Sequence, residues 1–389
     1  VSRRRSIAVG YPAGCFYSSG LAGESGPTGA TVRNPWRGNN SGLILIVVMW
    51  ILLILSLLAV GLGRSALIEL SLTKYFTGQL KSKSITWAGV LYALNQIRKD
   101  SQDERTAGYD SLYECAVRLS DDQNLLSLFK HIPVGEGYFD IRYSAPKREM
   151  FLEEPWGFED EERKLNLNAL TPETYPILQR LIVKLGFDES AARTIASSIV
   201  DWIDGDDEVT DAPYGAEDSH YHQLRDPYYC KNFPLDSLEE LFLIKGMTKE
   251  IFEELKDDVT IFPQKPSHLL VNINTASSTV IGALAEHFSG PATNTDMRDA
   301  ESLTQKIMDW RKGEDRQPLT PDDRIVDMNK LPLNAGEEAI YRALQPTITE
   351  VSNHIRIRVR GVHESSGVAT RIEAVVRRED LAVVFWRRD

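Results

Sequence analysis

A dense run of carboxylates lies between residues 201 and 218. Calcium takes roughly six to eight oxygen ligands in a flexible geometry, and the spacing Asp204-Gly-Asp206 allows a loop to turn two carboxylates toward one such cation. The EF-hand spacing is absent from this stretch. The residues therefore leave two interpretations open, a calcium site and a solvated acidic loop. Eight acidic side chains fall within these eighteen residues: Asp201, Asp204, Asp206, Asp207, Glu208, Asp211, Glu217 and Asp218.

No catalytic pattern accompanies the acidic loop. The sequence has no Gly-x-Ser-x-Gly elbow, no phosphate-binding loop and no His-Glu-x-x-His motif, so it indicates no enzyme. Zinc is disfavoured because His220 and His222 have only Cys230 nearby and no second ligand pair.

The overall charge limits the possible partners. The chain of 389 residues has a formal net charge of −12, which argues against binding to nucleic acid, where basic patches supply most of the attraction. Its length suggests two or three domains. Outside the N-terminal region the cysteines are Cys115 and Cys230, which could pair in an oxidising compartment or remain two free buried thiols.

An internal repeat surrounds the acidic loop. Leu165-Asn-Leu-Asn168 opens one copy and Val271-Asn-Ile-Asn274 opens the other, and each copy reaches an Asp-Trp pair 36 or 38 residues later. This match predicts two related helical units. We expect Asn168 and Asn274 to cap the helices that follow them. The two tryptophans, Trp202 and Trp310, are expected to be core residues.

A helix-hairpin-helix pattern lies between the two copies. Residues 234–248 predict a short apolar helix, capped by Asp236 or Ser237, and a tight turn at Gly246. Such a turn can present backbone N–H groups to a DNA phosphate, or it can serve packing alone. Packing is favoured because acidic side chains surround the motif.

The N-terminal region contains a candidate membrane anchor. Residues 43–62 carry no charge, which suits a helix crossing a bilayer. Residues 1–42 have five arginines and one acid, so the N-terminus should be cytoplasmic and the rest of the chain outside. A cleavable secretory signal is the alternative. The apolar periodicity of residues 64–100 predicts that the helix continues past the membrane.

Strand patterns lie on both sides of the repeat. Residues 138–143 and 355–360 alternate apolar and polar side chains, and residues 369–377 and 381–386 are predicted as two further strands near the C-terminus. Residues 145–164 are expected to form a charged connection. The alternation predicts that Arg356, Arg358 and Arg360 lie on a solvent-exposed face.

Together these pieces resemble a type IV pilin-like precursor, and more narrowly the minor pseudopilin K family of type II secretion systems. The landmarks are Gly42 before an uncharged helix, the two repeat openings, and three short motifs. Those motifs are Asp201-Trp202, Gly215-Ala-Glu217-Asp218 and Asp236-Ser-Leu-Glu-Glu240. The resemblance runs from about Gly42 to the C-terminus.

The resemblance implies processing at the start of the anchor. A prepilin peptidase would cut between Gly42 and Leu43, and the new amine of Leu43 is usually methylated in this family. Major pseudopilins carry a glutamate at the fifth mature position, which is Val47 here. A subunit at the fibre tip has no neighbour ahead whose amine needs a carboxylate, and an unpaired glutamate in lipid would be costly.

The implied fold class is α+β, with a long N-terminal helix packed on a small antiparallel sheet and a large inserted all-α domain. That inserted domain would have a SAM-like or helix-hairpin-helix-like repeat. The resulting segments are a cytoplasmic leader at 1–42, a transmembrane helix at 43–63, a pilin-like first part at 64–164, the inserted domain at 165–345 with repeat copies at 165–208 and 271–320, and C-terminal pilin-like strands at 346–389.

The family also implies ligands, partners and location. Its members bind structural calcium in the inserted domain, and the match at Gly215–Asp218 favours a site formed by Asp204, Asp206, Asp207, Glu217 and Asp218. Partners would be the minor pseudopilins I and J, other pseudopilins, the prepilin peptidase and the inner membrane, but no nucleic acid. The protein would cross the inner membrane once, place its C-terminal part in the periplasm, and initiate and cap the pseudopilus. The alternative is a membrane-tethered DNA-uptake protein that uses its helix-hairpin-helix.

Overall fold

The chain begins, where it is described, with one long helix. The computed structural model describes residues 41–104, 107–112, 116–117, 126–143 and 156–388. Helix α1 spans Ser41–Gln102 without interruption, which confirms the predicted continuation past the apolar segment. Most of the predicted leader, and Cys115, lie outside the described residues. Cys230 is a free, buried thiol.

Helix α1 belongs to two compact units, residues 1–68 and residues 69–389. In the first unit every described side chain from Gly42 to Ile68 is exposed. Among the described residues, one helix, α1, is long and apolar enough to cross a membrane, as judged by length and composition. An apolar helix with no protein cover suits a lipid environment, where its backbone groups satisfy one another.

The described part of the second unit contains one main antiparallel sheet and three separate two-stranded sheets. In chain order the strands are β1 (Ala116–Val117), β2 (Ile132–Val134), β3 (Gly137–Ile141), β4 (Trp156–Gly157), β5 (Glu159–Asp160), β6 (Leu165–Asn166), β7 (Val259–Thr260), β8 (Val271–Asn272), β9 (Ile348–Thr349), β10 (His354–His363), β11 (Val368–Arg377) and β12 (Val383–Arg388). The main sheet has the order β12-β11-β10-β3-β2, and β5 pairs with β10 on the same side as β3. The four predicted strand regions are therefore confirmed, and β2 and β5 add to them.

The C-terminal half of α1 packs on this sheet. The helix contributes Ile85, Val90, Ala93 and Ile97 to a core that includes alternate residues of β10 and β11. Small residues allow a close approach, because a Cβ at Gly361 of β10 would lie 2.6 Å from the backbone nitrogen of Thr86. The apolar face of α1 thus packs against the apolar face of β10 and β11 in one layer.

Gly361 provides a test of this packing. We expect Gly361→Ala to lower the free energy of unfolding by about 1–3 kcal/mol, because its Cβ would push α1 away from the sheet. The measurement is denaturant unfolding of the full chain in detergent micelles. Gly108→Ala is the control, since no heavy atom lies within 4 Å of a Cβ placed there. Equal stability of the two variants would contradict the close approach.

The chain between β5 and β10 is mainly helical. Its α-helices are α2 (Tyr175–Lys184), α3 (Glu189–Ile203), α4 (Asp218–Tyr221), α5 (Lys249–Leu255), α6 (Ser278–Phe288), α7 (Met297–Arg311) and α8 (Ala335–Leu344). The two copies of the sequence repeat have matching helices: α3 and α7 are both 15 residues long, and each is capped by an aspartate that accepts two backbone N–H groups. Trp202 is buried in the core, whereas Trp310 is half-buried against it.

The repeat asparagines have a different role from the one predicted. Asn168 does not cap a helix. Its side-chain amide donates to the backbone carbonyl of Leu235 and accepts from the backbone nitrogen of Leu235. In the second copy Asn274 accepts from the backbone nitrogen of Val326. Helices α2 and α6 begin instead after Thr174 and Ser277. The cap prediction was wrong because the asparagines hold distant loops, and sequence spacing does not show such contacts.

The helical region also contains extended backbone, so the all-α expectation was too simple. Each repeat opening forms one strand of a short parallel pair, β6 with β7 and β8 with β9. These pairs tie the start of each copy to a segment far along the chain. The boundaries of 165–345 stay a prediction.

The arginine face of β10 is not the solvent-exposed surface that alternation predicted. Arg356 is bonded to Glu161 and lies 2.8 Å from Glu373, and its side chain is 12% exposed. Arg358 contacts Glu159 and Glu373. Residues 159–164, at the end of the predicted charged connection, cover this face, and all six of them are buried. Alternation identified one face of the strand but not what packs on it.

Candidate metal centre

The acidic loop begins where α3 ends. Asp201, in the last turn, is fully buried, and its two carboxylate oxygens accept from the backbone nitrogens of Thr210 at 2.8 Å and Ala216 at 2.6 Å. A Cβ at Gly215 would lie 2.1 Å from Asp201 Oδ2, so the absence of a side chain permits this contact. Asp201 therefore closes the loop onto the end of its helix.

This closure brings three carboxylates together. Asp204, Asp206 and Glu217 each offer a carboxylate oxygen, and these three atoms lie within 4.8 Å of one another. Asp204 is half-buried at the C-cap of α3, Asp206 is exposed, and Glu217 is buried at the N-cap of α4. Two helix ends and one loop thus position the set.

The buried oxygens of this cluster have no donors. Both carboxylate oxygens of Glu217 and Oδ1 of Asp204 are inaccessible and receive no hydrogen bond in the described part of the chain. Burial, with the charges of Asp201 and Asp204, raises the pKa of Glu217 to about 8. Burial and the charges of Asp206 and Asp201 raise the pKa of Asp204 to about 6. Like charges held together without donors favour a bound cation or protonation.

Protein cations neutralise only the edge of the loop. Arg193 of α3 binds Asp211 through two hydrogen bonds, at 2.5 and 2.9 Å. No salt bridge among the described residues reaches Asp204, Asp206 or Glu217. The negative charge at the centre of the loop therefore lacks a cationic side chain.

The helix-hairpin-helix forms hydrogen bonds with the acidic loop of the same chain. Its Lys245 donates to three carbonyl oxygens of the acidic loop, those of Pro213, Tyr214 and Gly215, at 2.9–3.1 Å. Gly246 adopts a φ of +85° and lies against α3. The hairpin thus supports the acidic loop, and the sequence alone did not indicate this role for Lys245.

Two predicted ligands lie outside the three-carboxylate cluster. The carboxylate of Asp218 accepts from the backbone nitrogen of Cys230 at 2.6 Å. Asp207 is exposed and accepts from the side-chain amide of Asn232 at 3.3 Å. The same amide nitrogen donates to the carbonyl of Asp206, and the Asn232 oxygen is buried without a donor among the described residues. Asn232 was not found from the sequence, because it lies 26 residues beyond Asp206.

The second copy of the repeat offers an internal comparison. Counted from the Asp-Trp pair, Lys312 stands where the first copy has Asp204. Lys312 lies 3.4 Å from Asp309, and Arg324 bonds Glu314 at 2.9 Å. The second copy thus carries a lysine three residues after the aspartate of its Asp-Trp pair, whereas residues 201–218 of the first copy contain no lysine or arginine. Oxygen ligands, flexible loop geometry and unbalanced negative charge together suit calcium.

The predicted processing site lies in the first unit. Gly42 and Leu43 are in the first turn of α1, and a Cβ at Gly42 would meet no heavy atom within 4 Å. Gly42 and Leu43 are both exposed in the described part of the chain.

Comparison with known proteins places the acidic loop inside a matched region. Residues 163–264 match the family model described as type II secretion system (T2SS), protein K. The chain is 28% identical over 199 residues to a putative type II secretion system protein K of Escherichia coli K12, covering 47% of this chain and 59% of that protein. It is 29% identical over 155 residues to protein K of Pseudomonas aeruginosa, and the match covers 38% of this chain and 45% of that protein.

A third relative and a solved structure extend the comparison. Protein K of Aeromonas hydrophila is 27% identical over 243 residues, and the match covers 60% of this chain and 66% of that protein. The structure titled as the GspK-GspI-GspJ complex of the enterotoxigenic Escherichia coli Type 2 Secretion System matches with a TM-score of 0.56 and 20% identity. That match covers 81% of this chain and 99% of the matched chain. It shows a common fold, with a long N-terminal helix, other helices and an antiparallel sheet.

Proposed function

We propose that this chain, a relative of type II secretion system protein K, is a minor pseudopilin that initiates and caps a secretion pseudopilus. The observation that carries the proposal is the protein K match over residues 163–264, which contains the acidic loop and the hairpin that supports it. The fold and the candidate membrane helix agree with such a role. A pseudopilus of this kind would drive export of folded proteins across the outer membrane.

Helix α1 would anchor the protein in the inner membrane before assembly. The arginines of residues 1–42 favour a cytoplasmic N-terminus, so the sheet and the helical region would lie in the periplasm. A prepilin peptidase would cut between Gly42 and Leu43. Val47 in place of a glutamate supports a position at the tip, where no subunit ahead presents an amine.

We propose that the helical region is the inserted domain predicted at 165–345, with a SAM-like or helix-hairpin-helix-like repeat. Its place in the chain, between β5 and β10, supports this proposal because these strands pair with one another. At the tip, such a bulky domain would block the addition of a further subunit. The role is structural rather than catalytic, in line with relatives named as secretion-system components.

Calcium would hold the acidic loop in its folded form. Asp204, Asp206 and Glu217 would bind it, since their oxygens already converge and three buried oxygens lack donors. Asp207 and Asp218 belong to the proposed ligand set, although the structure gives each another partner. The cation would supply positive charge that the loop's own side chains do not provide, and we assign it no catalytic step.

The alternative of DNA binding is not favoured. In the DNA-binding form of this motif, the hairpin turn must offer free N–H groups to phosphate. Here the backbone nitrogen of Lys245 donates to the Tyr221 hydroxyl at 3.4 Å and that of Met247 donates to the carbonyl of Ile244 at 3.2 Å. Acidic residues such as Glu250 and Glu253 lie on the following helix.

Complex formation with two other minor pseudopilins tests the proposal. We expect the full chain in detergent to elute with pseudopilins I and J of the same system as one species in size-exclusion chromatography. Mixtures lacking I or J serve as controls. A chain that elutes alone in the presence of both would contradict the proposed function.

A further inference from the structure

Asn232 holds the acidic loop through the N–H groups of its side-chain amide. Its Nδ2 donates to the backbone carbonyl of Asp206 at 3.1 Å and to the carboxylate of Asp207 at 3.3 Å. A primary amide has two N–H donors and one oxygen, so these two bonds use every donor of the side chain. Asn232 therefore fixes two successive residues of the loop that carries Asp204 and Asp206.

These bonds also determine which way the amide oxygen faces. If the amide were turned over, its oxygen would face the Asp206 carbonyl and the Asp207 carboxylate, and neither of these groups can donate. The oxygen is therefore held away from both acceptors. In that position Oδ1 of Asn232 is buried and receives no hydrogen bond from the described residues. A buried amide oxygen without a donor is costly, so a partner for it is expected.

Other buried oxygens of the same loop also lack donors. They are Oδ1 of Asp204 and both carboxylate oxygens of Glu217, a side chain that is 2% exposed. With Oδ1 of Asn232, four buried oxygens thus receive no hydrogen bond within the described ranges of the chain. A single cation satisfies such oxygens together, whereas each of them would otherwise need a donor of its own.

The chain just before Asn232 ties this residue to the helix ends that carry the cluster. The backbone nitrogen of Cys230 donates to the carboxylate of Asp218 at 2.6 Å, at the start of α4. The Cys230 thiol donates to the carbonyl of Asp201 at 3.4 Å, in the last turn of α3. The two partly or fully buried carboxylates of the cluster cap these same helix ends. Asn232 therefore stands beside the cluster although it is distant in sequence.

We infer that Oδ1 of Asn232 is a further ligand of the cation bound by Asp204, Asp206 and Glu217. The inference rests on the cation site of the proposed function. Calcium accepts neutral amide oxygens together with carboxylates, in a set of roughly six to eight oxygens. Asn232 then has two roles, because its N–H groups position the backbone of Asp206 and its oxygen binds the cation.

Two substitutions separate the ligand role from the positioning role. Asn232 has a φ of +48°, a conformation that glycine adopts readily, so Asn232→Gly removes the amide without backbone strain. Asn232→Asp keeps an oxygen at the same place and loses both N–H donors. Asn294→Gly is the matched control, because Asn294 has a φ of +51° and lies in a different loop, between α6 and α7.

Terbium luminescence of the full chain in detergent micelles measures both affinity and bound water. Terbium(III) replaces calcium on oxygen ligands, its emission lifetimes in ordinary and heavy water count the waters bound to it, and titrated calcium displaces it. We expect Asn232→Gly to weaken calcium binding at least about tenfold and to add about one bound water, because water replaces the amide oxygen. Asn232→Asp should add no water and should lose less than about tenfold in affinity. Asn294→Gly should match the original chain in both measurements.

The possible outcomes distinguish this inference from the site on which it rests. Terbium emission that calcium does not displace from the original chain would overturn both the calcium site and the ligand role of Asn232. Complex formation with pseudopilins I and J is measured separately and does not depend on that result. If the original chain binds calcium, an Asn232→Gly variant with no added water would overturn the inference alone. An Asn232→Asp variant weakened about tenfold or more would also overturn it, even if Asn232→Gly does not fold, because Asn232 would then act through its N–H groups.

Discussion

Calcium should raise the thermal unfolding midpoint of this protein by roughly 3–4 °C. A ligand at about a hundred times its dissociation constant stabilises the folded state by about 2.7 kcal/mol, and an unfolding entropy of about 2.1 cal/mol/K per residue gives a protein of this size about 1.2–1.5 °C per kcal/mol. The physical reason is the unbalanced charge of Asp204, Asp206 and Glu217, whose oxygens converge without a cationic side chain. Scanning fluorimetry of the full chain in detergent, with calcium or with a chelator, gives the measurement.

Glu217→Gln should remove the stabilisation by calcium without destabilising the calcium-free fold. This variant removes a buried carboxylate that has no donor, so we expect it to unfold at the same temperature or higher without calcium and to lose most of the calcium gain. Glu208→Gln is the matched control, because this exposed carboxylate of the same loop lies outside the cluster and should leave the gain intact. A Glu217→Gln variant with the full calcium gain would contradict the site.

Arg356→Met should be among the most damaging single substitutions in the sheet. Arg356 is bonded to the fully buried Glu161, and its loss leaves that carboxylate with Lys164 at 3.6 Å as its remaining cation in the ion pairs of the described region. Removing one partner of a buried pair typically costs about 3–5 kcal/mol. Denaturant unfolding of the full chain measures the loss.

Two further variants show whether the loss comes from the stranded charge. Arg377→Met on the neighbouring strand β11 is the control, since its 2.6 Å pair with Asp380 is exposed on both sides and its loss should leave the stability almost unchanged. Adding Glu161→Gln to Arg356→Met should restore part of the stability, because the uncompensated charge is then gone. Similar losses for Arg356→Met and Arg377→Met would contradict the buried pair.

The buried pair of Arg356 and Glu161 also predicts that the free energy of unfolding depends on pH. Burial alone would raise the pKa of Glu161, but the charges of Arg356 and Lys164 outweigh burial and lower it from 4.5 to about 2. An acid with a lowered pKa stabilises the fold fully above its unfolded value. That contribution is lost as pH falls from about 4.5 to about 2. We expect Arg356→Met to remove most of this acid sensitivity.

Local patterns predicted the elements better than their surroundings. The apolar run and its periodicity predicted α1, and strand patterns predicted β3, β10, β11 and β12, because these signals lie within one element. The arginine face was wrong because the segment from Glu159 to Lys164, nearly two hundred residues away, covers it. Alternation contains no information about such a cover.

The candidate metal site in the acidic loop could likewise be predicted only in part from local sequence. Composition predicted where carboxylates crowd, but not which three of them converge. That choice depends on Asp201, which fixes Thr210 and Ala216, and on Lys245, which holds the loop carbonyls from another hairpin. The same long-range contacts explain why Asn232 could not be found from spacing alone.

Processing of the N-terminus tests the central claim most directly. The full chain would be co-expressed with a prepilin peptidase, and intact mass spectrometry would identify its first residue. We expect a mature chain that begins at Leu43 with a methylated amine, produced by cleavage after Gly42. A chain that is left uncut, or cut at any other bond, would contradict the assignment as a pseudopilin.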